Sequence, residues 1–216
     1  MKLVIGNKNY SSWSLRPWLA MRAKGIAFDE ERVALNQPQT RARLLGHSPS
    51  GKVPVLVDED IAIWDSLAIV EYLAEKFPQA RLWPTDRVAR ARARSVTAEM
   101  HSGFSALRNA MPMNCRGHHP GKGRTPEVES DIARITALWE DCRSQFGGGG
   151  DFLFGAFCIA DAFYAPVVSR FKTYGVSLPA ISRQYADTML ALPAMQEWLA
   201  AAQAEAEIIE VSEPYR

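Results

Sequence analysis

The sequence predicts an α/β fold of element order β-α-β-α-β-β-α over residues 1–77, joined by a linker at 78–86 to an all-α region at 87–216. Three observations carry that division. Val55-Leu56-Val57 and Ile61 to Trp64 flank the acidic turn Asp58-Glu59-Asp60, the pattern of an antiparallel hairpin. Phe77-Pro78 and Pro84-Thr85-Asp86 then interrupt the chain. Beyond the break, Val96, Met100, Phe104, Leu107 and Met111 recur every three or four residues, the spacing of one buried helical stripe.

Taken in order, Lys2 to Gly6 reads as a strand, and Asn7 to Ser12 as a polar loop entering a helix near Ser14 to Lys24. Pro17 is tolerable in its first turn, and Gly25 is a natural stop. Phe28 to Leu35 alternates as a second strand, and Gln39 to Leu45 forms a short helix. Val53-Pro54 marks the turn into the hairpin, because proline has no N–H for a central strand. Asp65-Ser66 opens the helical pattern Leu67, Ile69, Val70, Leu73. In the second region the spacing predicts one helix from Arg87 to about Asn109, an exposed loop over 112–124, and a helix opened by Thr125-Pro126-Glu127. Cys158 and Asp161 bracket a further N-terminus, with Pro166 inside the helix that follows. Helices near Ala180 to Leu190 and Ala194 to Glu207, separated by Pro193, close the chain.

Of 216 residues, 47% are apolar and 23% charged, which suits a packed globular core. The net charge of +1 provides no field to recruit nucleic acid or an anionic membrane. Arg87, Arg90, Arg92 and Arg94 read as a solvated face rather than a phosphate-binding stripe. No apolar run approaches the roughly 20 residues that span a bilayer, and Met1-Lys2 leads directly into a strand, so a cytoplasmic protein is expected. Cys115, Cys142 and Cys158 are odd in number and widely spaced, against a disulfide framework. Cys115 with His118 and His119 lacks the fourth ligand of a closed metal site, and no metal is expected.

Pro49-Ser50-Gly51-Lys52-Val53-Pro54-Val55-Leu56, followed after the hairpin by Asp65-Ser66, resembles the glutathione-binding half of the thioredoxin-like domain of glutathione transferases. The resemblance extends over most of the chain and implies the fold of that family: a thioredoxin-like domain at 1–77 and an all-α C-terminal domain at 87–216. It also implies a cis Val53-Pro54 bond. Lys52, Val53, Pro54, Asp65 and Ser66 would then hold glutathione, the Val53 backbone pairing with the ligand's cysteinyl amide. The physics agrees, since a peptide-like ligand can use main-chain hydrogen bonds at an exposed edge and a carboxylate suits a helix N-terminus. Without Val53-Pro54 upstream, Asp65-Ser66 would read first as a plain N-cap pair.

Tyr10-Ser11-Ser12-Trp13-Ser14-Leu15-Arg16 resembles the Ser-type members, zeta- and theta-like bacterial proteins among them, whose zeta loops carry Ser-Ser-Cys-x-x-Arg. Trp13 stands where those loops have Cys, which weakens the case for a maleylacetoacetate isomerase. In this family a hydroxyl near the first helix donates to the glutathione sulfur. A thiol of pKa about 8.5 is only a few per cent ionised at pH 7, and a donor aimed at sulfur stabilises the thiolate. Ser12 is the first choice for that donor and Ser11 the second. His101, Ser105 and Arg108 run beside the apolar stripe; they are either the boundary between core and solvent or the polar part of a pocket for the electrophile.

The expected function is therefore conjugation of glutathione, as co-substrate, to a small electrophile by a homodimer. Alternatives are a glutathione-dependent isomerase or peroxidase at the same site, and a non-catalytic transferase-like protein that binds glutathione or another protein.

Overall fold

Leu3, Val4 and Ile5 have no solvent exposure, and a strand apolar on both faces belongs in the middle of a sheet. In the computed structural model, which describes residues 1–216, β1 (Lys2–Ile5) indeed lies between β2 (Asp29–Arg32) and β3 (Val55–Asp58). β4 (Ile61–Ile63) completes the order β2-β1-β3-β4. β1 pairs with β2 in parallel and with β3 antiparallel, Leu3 facing Leu56; β3 and β4 form the expected hairpin. β2 is the charged run Asp29-Glu30-Glu31-Arg32 at an edge, where charge opposes pairing with a further strand. It is shorter than the alternation from Phe28 to Leu35 suggests, because only these four residues pair with β1.

α1 (Ser12–Ala23), α2 (Thr40–Leu45) and α3 (Ser66–Lys76) pack around this sheet, and α4 (Arg87–Ser102) begins the helical part. The helix expected to run on to Asn109 stops at Ser102 and restarts as α5 (Ser105–Ala110). Gly103 lies so close to the preceding turn that an added Cβ would sit 2.7 Å from the Glu99 carbonyl oxygen. Phe104 then takes a left-handed conformation, φ 56°. The apolar stripe survives the break, since Phe104, Leu107 and Met111 remain buried.

α6 (Pro126–Phe146), α7 (Ile159–Tyr174), α8 (Ala180–Ala191) and α9 (Pro193–Ala204) follow. α7 is buried along nearly its whole length. Its start is set by Asp161, whose carboxylate accepts the N–H of Cys158 at 2.8 Å and that of Leu153 at 3.1 Å. One apolar cluster of 49 buried residues runs from β1, α1 and α3 through α4 to α9. Trp18 of α1 meets Trp198 of α9 at 5.1 Å between ring centroids.

The segment after α9 returns to the first loop. Glu205 accepts the backbone N–H of Lys8 at 2.7 Å and of Asn9 at 3.0 Å. Arg116 binds the Tyr10 hydroxyl at 2.8 Å and the Glu207 carbonyl at 2.9 Å. The loop leading into α1 is thus fixed by the opposite end of the chain.

Candidate active site

α1 begins earlier than the sequence suggests, and this separates the two serines. Ser11 is the N-cap: its Oγ accepts the Ser14 N–H at 3.3 Å and donates to Ser14 Oγ at 2.7 Å. Ser14 Oγ in turn accepts the Gly6 N–H at 3.1 Å. Ser12 is the first residue of the helix, and its Oγ receives one long hydrogen bond, 3.4 Å from Arg170 Nη2. Ser12 is 7% exposed and donates its own proton to nothing within the chain.

Arg170 is buried on α7, with its Nε on the Met111 carbonyl at 2.8 Å. Burial, then the neighbouring Arg108, lowers its pKa to about 10, which leaves it cationic at neutral pH. Arg16, also buried, lies over Trp13 at 4.1 Å and Phe163 at 4.8 Å. Burial first, then Arg170 and Arg108, lowers it to about 9. Positive charge therefore gathers behind the N-terminus of α1, only partly offset by Asp65, and favours an anion there.

Arg16 Nη1 stands 3.5 Å from His101 Nδ1, and His101 Nε2 is 3.0 Å from Asp65 Oδ2. Burial, the leading cause, lowers the pKa of His101, so its ring is neutral at pH 7. A guanidinium only donates, which makes Nδ1 the acceptor and places the ring proton on Nε2, facing Asp65. Asp65 meanwhile caps α3 through Oδ1, accepting the Leu67 N–H at 2.9 Å. Ser66 Oγ is fully buried at the start of that helix and has no partner.

Beside these groups lies a cavity of about 480 Å³ lined by Trp13, Ser50, Lys52, Val53, Pro54, Trp64 and Asp65. The Val53-Pro54 bond is cis. The glutathione-binding residues expected from the sequence thus converge: Lys52, Val53, Pro54 and Asp65 on the wall, Ser66 buried next to Asp65. The electrophile group divides. His101 and Arg108 meet at Trp13, His101 edge-on at 5.2 Å and Arg108 over its ring at 5.4 Å. Arg108 also donates to the His101 carbonyl at 3.2 Å. Ser105, beyond the break after α4, is exposed and forms no hydrogen bond with either.

Trp13, Arg16 and Arg170 complete the site without having been singled out as site residues. The signal for Arg170 is visible in the sequence: it is the one charge in the run Ala165-Pro166-Val167-Val168-Ser169-Arg170-Phe171. Cys115 and His119 belong to different surroundings. The thiol, pushed up to about 11 by burial, lies 3.5 Å from Ser169 Oγ, whereas His119 packs on Tyr174 and Tyr215.

The model of the glutathione S-transferase N-terminal domain matches residues 10–76, and that of the glutathione S-transferase C-terminal domain matches 122–201. A probable maleylacetoacetate isomerase of Caenorhabditis elegans is 35% identical over 191 residues, 85% of this chain and 86% of that protein. The maleylacetoacetate isomerase of Pseudomonas aeruginosa is 31% identical over 209 residues, 91% of this chain and 94% of that protein. Among solved structures, a sphingomonad glutathione S-transferase complexed with glutathione superposes with a TM-score of 0.66 at 25% identity. It covers 95% of this chain and is itself covered over 100% of its length.

Proposed function

Because this chain belongs to the glutathione S-transferase family, we propose that it binds glutathione in the cavity beside Val53-Pro54 and transfers its thiolate to a small electrophile. The observation that carries this reading is Ser66. A fully buried hydroxyl without a partner is uncommon in a folded protein, and this one lies at a helix N-terminus next to a cavity of peptide size. A γ-glutamyl carboxylate would satisfy it. Asp65 would take the ligand's α-amino group, and the Val53 backbone its cysteinyl amide. Ser12 would donate its free proton to sulfur, with Arg16 and Arg170 adding positive potential behind it.

The test is calorimetry of glutathione binding to Ser66→Ala. Losing a hydrogen bond to a charged group weakens binding by about 1.5–3 kcal/mol, so a roughly tenfold or greater loss is expected. Unchanged affinity in a folded variant would remove Ser66 from the site.

A second reading, a glutathione-dependent isomerase, is supported by the names of the two relatives above. Trp13 in place of the zeta Cys speaks against it, and turnover of maleylacetoacetate by the purified protein would decide for it. A two-fold homodimer is part of the proposal. Ile61, exposed on the edge strand β4, supports a surface for self-association. A cytoplasmic setting is supported by three unpaired cysteines.

A further inference from the structure

Ser12, Trp13 and Arg16 occupy the first turns of α1, where side chains three and four positions apart share a face. Arg16 is thus a neighbour of both the hydroxyl donor and the indole. It is 1% exposed, and its Nε has no partner. Asp65, the one carboxylate whose charge supports it, turns Oδ2 to His101 instead. The other charges that face it, Arg170 from α7 and Arg108 from α5, are like its own, and both add to the effect of burial in lowering its pKa. A cation withdrawn from water among like charges is unfavourable unless something answers it.

What answers it is aromatic. The Arg16 Cζ lies 4.1 Å from the ring centre of Trp13 and 4.8 Å from that of Phe163. His101 is the third ring of the group, edge-on to Trp13 at 5.2 Å and 6.0 Å from Phe163. Indole presents the best of the aromatic faces to a cation, and the attraction grows where water is excluded. The same indole meets Arg108 at 5.4 Å, so one ring serves two guanidiniums of like charge. Trp13 is also half-buried and lines the glutathione cavity, whereas Arg16 is no part of that wall. The indole therefore borders both the cavity and the buried cation, and Arg16 reaches a ligand through its field rather than by contact.

We propose that Trp13 is a positioning residue for the thiol chemistry: its indole keeps Arg16 packed behind Ser12 as a buried cation, and through Arg16 it favours the thiolate of bound glutathione. This rests on the reading that glutathione occupies the cavity. The thiol proton leaves for solvent, while Ser12 keeps its own and donates it to the sulfur as a hydrogen bond.

Ultraviolet absorption of the bound thiolate, titrated against pH with glutathione saturating, tests this. In the parent protein the bound thiol should titrate below the ~8.5 of a free thiol. Trp13→Leu should raise that midpoint by about half a unit or more, which is roughly a threefold loss of thiolate at neutral pH. Trp13→Phe, which restores a weaker ring, should recover part of the shift. Arg16→Gln should raise the midpoint by itself, and adding Trp13→Leu to it should raise it no further, because residues that act through one another are not additive. That double variant has no cation to shelter, so its comparison with Arg16→Gln carries the test even where Trp13→Leu alone does not fold. An unchanged midpoint in Trp13→Leu, or a double variant shifted beyond Arg16→Gln, would overturn the role of Trp13 and leave glutathione binding standing. Failure of the parent protein to bind glutathione in calorimetry would remove the underlying reading, and this proposal with it.

Discussion

Ser11 gives its proton to Ser14 and accepts the Ser14 N–H, whereas Ser12 receives a long bond from Arg170 and keeps its own proton free. Adjacent hydroxyls on one loop are therefore chemically distinct. Ser12→Ala should raise the pKa of bound glutathione and slow conjugation at neutral pH by about 10²-fold, the lower end of what one electrostatic donor contributes. Much of the rate should return as pH rises. Ser11→Ala should instead cost about 1 kcal/mol of stability through the lost cap. pH–rate profiles of both variants with glutathione saturating, together with their melting curves, distinguish the roles; a profile shifted only in Ser11→Ala would exchange them. We propose that His101 serves the glutathione side of the site, because its Nε2 proton faces Asp65. His101→Leu should therefore raise the KM for glutathione, and His101→Gln, which keeps a donor at that distance, should restore most of it. A change confined to the KM for the electrophile would return His101 to the second-substrate pocket. Asp65 and Ser66 are legible in the sequence because a helix cap is decided within three residues. Arg170 shows itself as a charge in a buried helix but its partner does not, since the hydroxyl it meets lies 158 positions away.

At the scale of elements, α7 starts on a buried carboxyl. Asp161 is fully buried, and desolvation pushes its pKa up to about 6 from 3.8 against the pull of the Cys158 and Leu153 amides. The folded state thus holds this proton more tightly than the unfolded chain. Its contribution is fully present below about pH 4 and is lost as pH rises towards 6. Each tenfold difference in proton affinity is worth about 1.4 kcal/mol, so the loss approaches roughly 3 kcal/mol. Asp161→Asn carries no such proton and gives up one acceptor. It should be the less stable protein at about pH 4, and the gap to the parent should narrow by up to about 3 kcal/mol by pH 7. Urea denaturation at both pH values measures it, and a gap that widened with pH would show that the two amides hold the ionised form. This helix start was readable from Cys158 and Asp161 alone. The break between α4 and α5 was not, because a stripe of Val96, Met100, Phe104, Leu107 and Met111 keeps its period across it. There Gly103 leaves the helical conformation at φ −98°, ψ −167° and Phe104 turns left-handed, a backbone change that the spacing of apolar residues does not register.

Across the whole molecule, one core joins the sheet to the helices, and the closing segment holds the opening loop through Glu205. Glu205→Ala would leave the amides of Lys8 and Asn9 without their carboxylate. Hydrogen exchange at those two amides should accelerate by more than tenfold, an opening made easier by about 1.4 kcal/mol or more, while exchange in β1 changes little. Equal protection in the variant would show that the loop holds itself. The order of elements and the break after α3 are visible in the sequence because each is set by neighbours along the chain. The hold of Glu205 on Lys8 is a meeting of residues 197 apart, in a tail whose composition is merely polar. It also has a meaning in time. During synthesis the serine loop leaves the ribosome long before Glu205 is translated, so the nascent chain can fold its sheet and many of its helices while the loop is still unsecured. Those two amides gain their carboxylate only once Glu205 has been made, and a chain that stops just short of it keeps its helices through α9 while the loop is held by Asn114, Arg116 and Trp198.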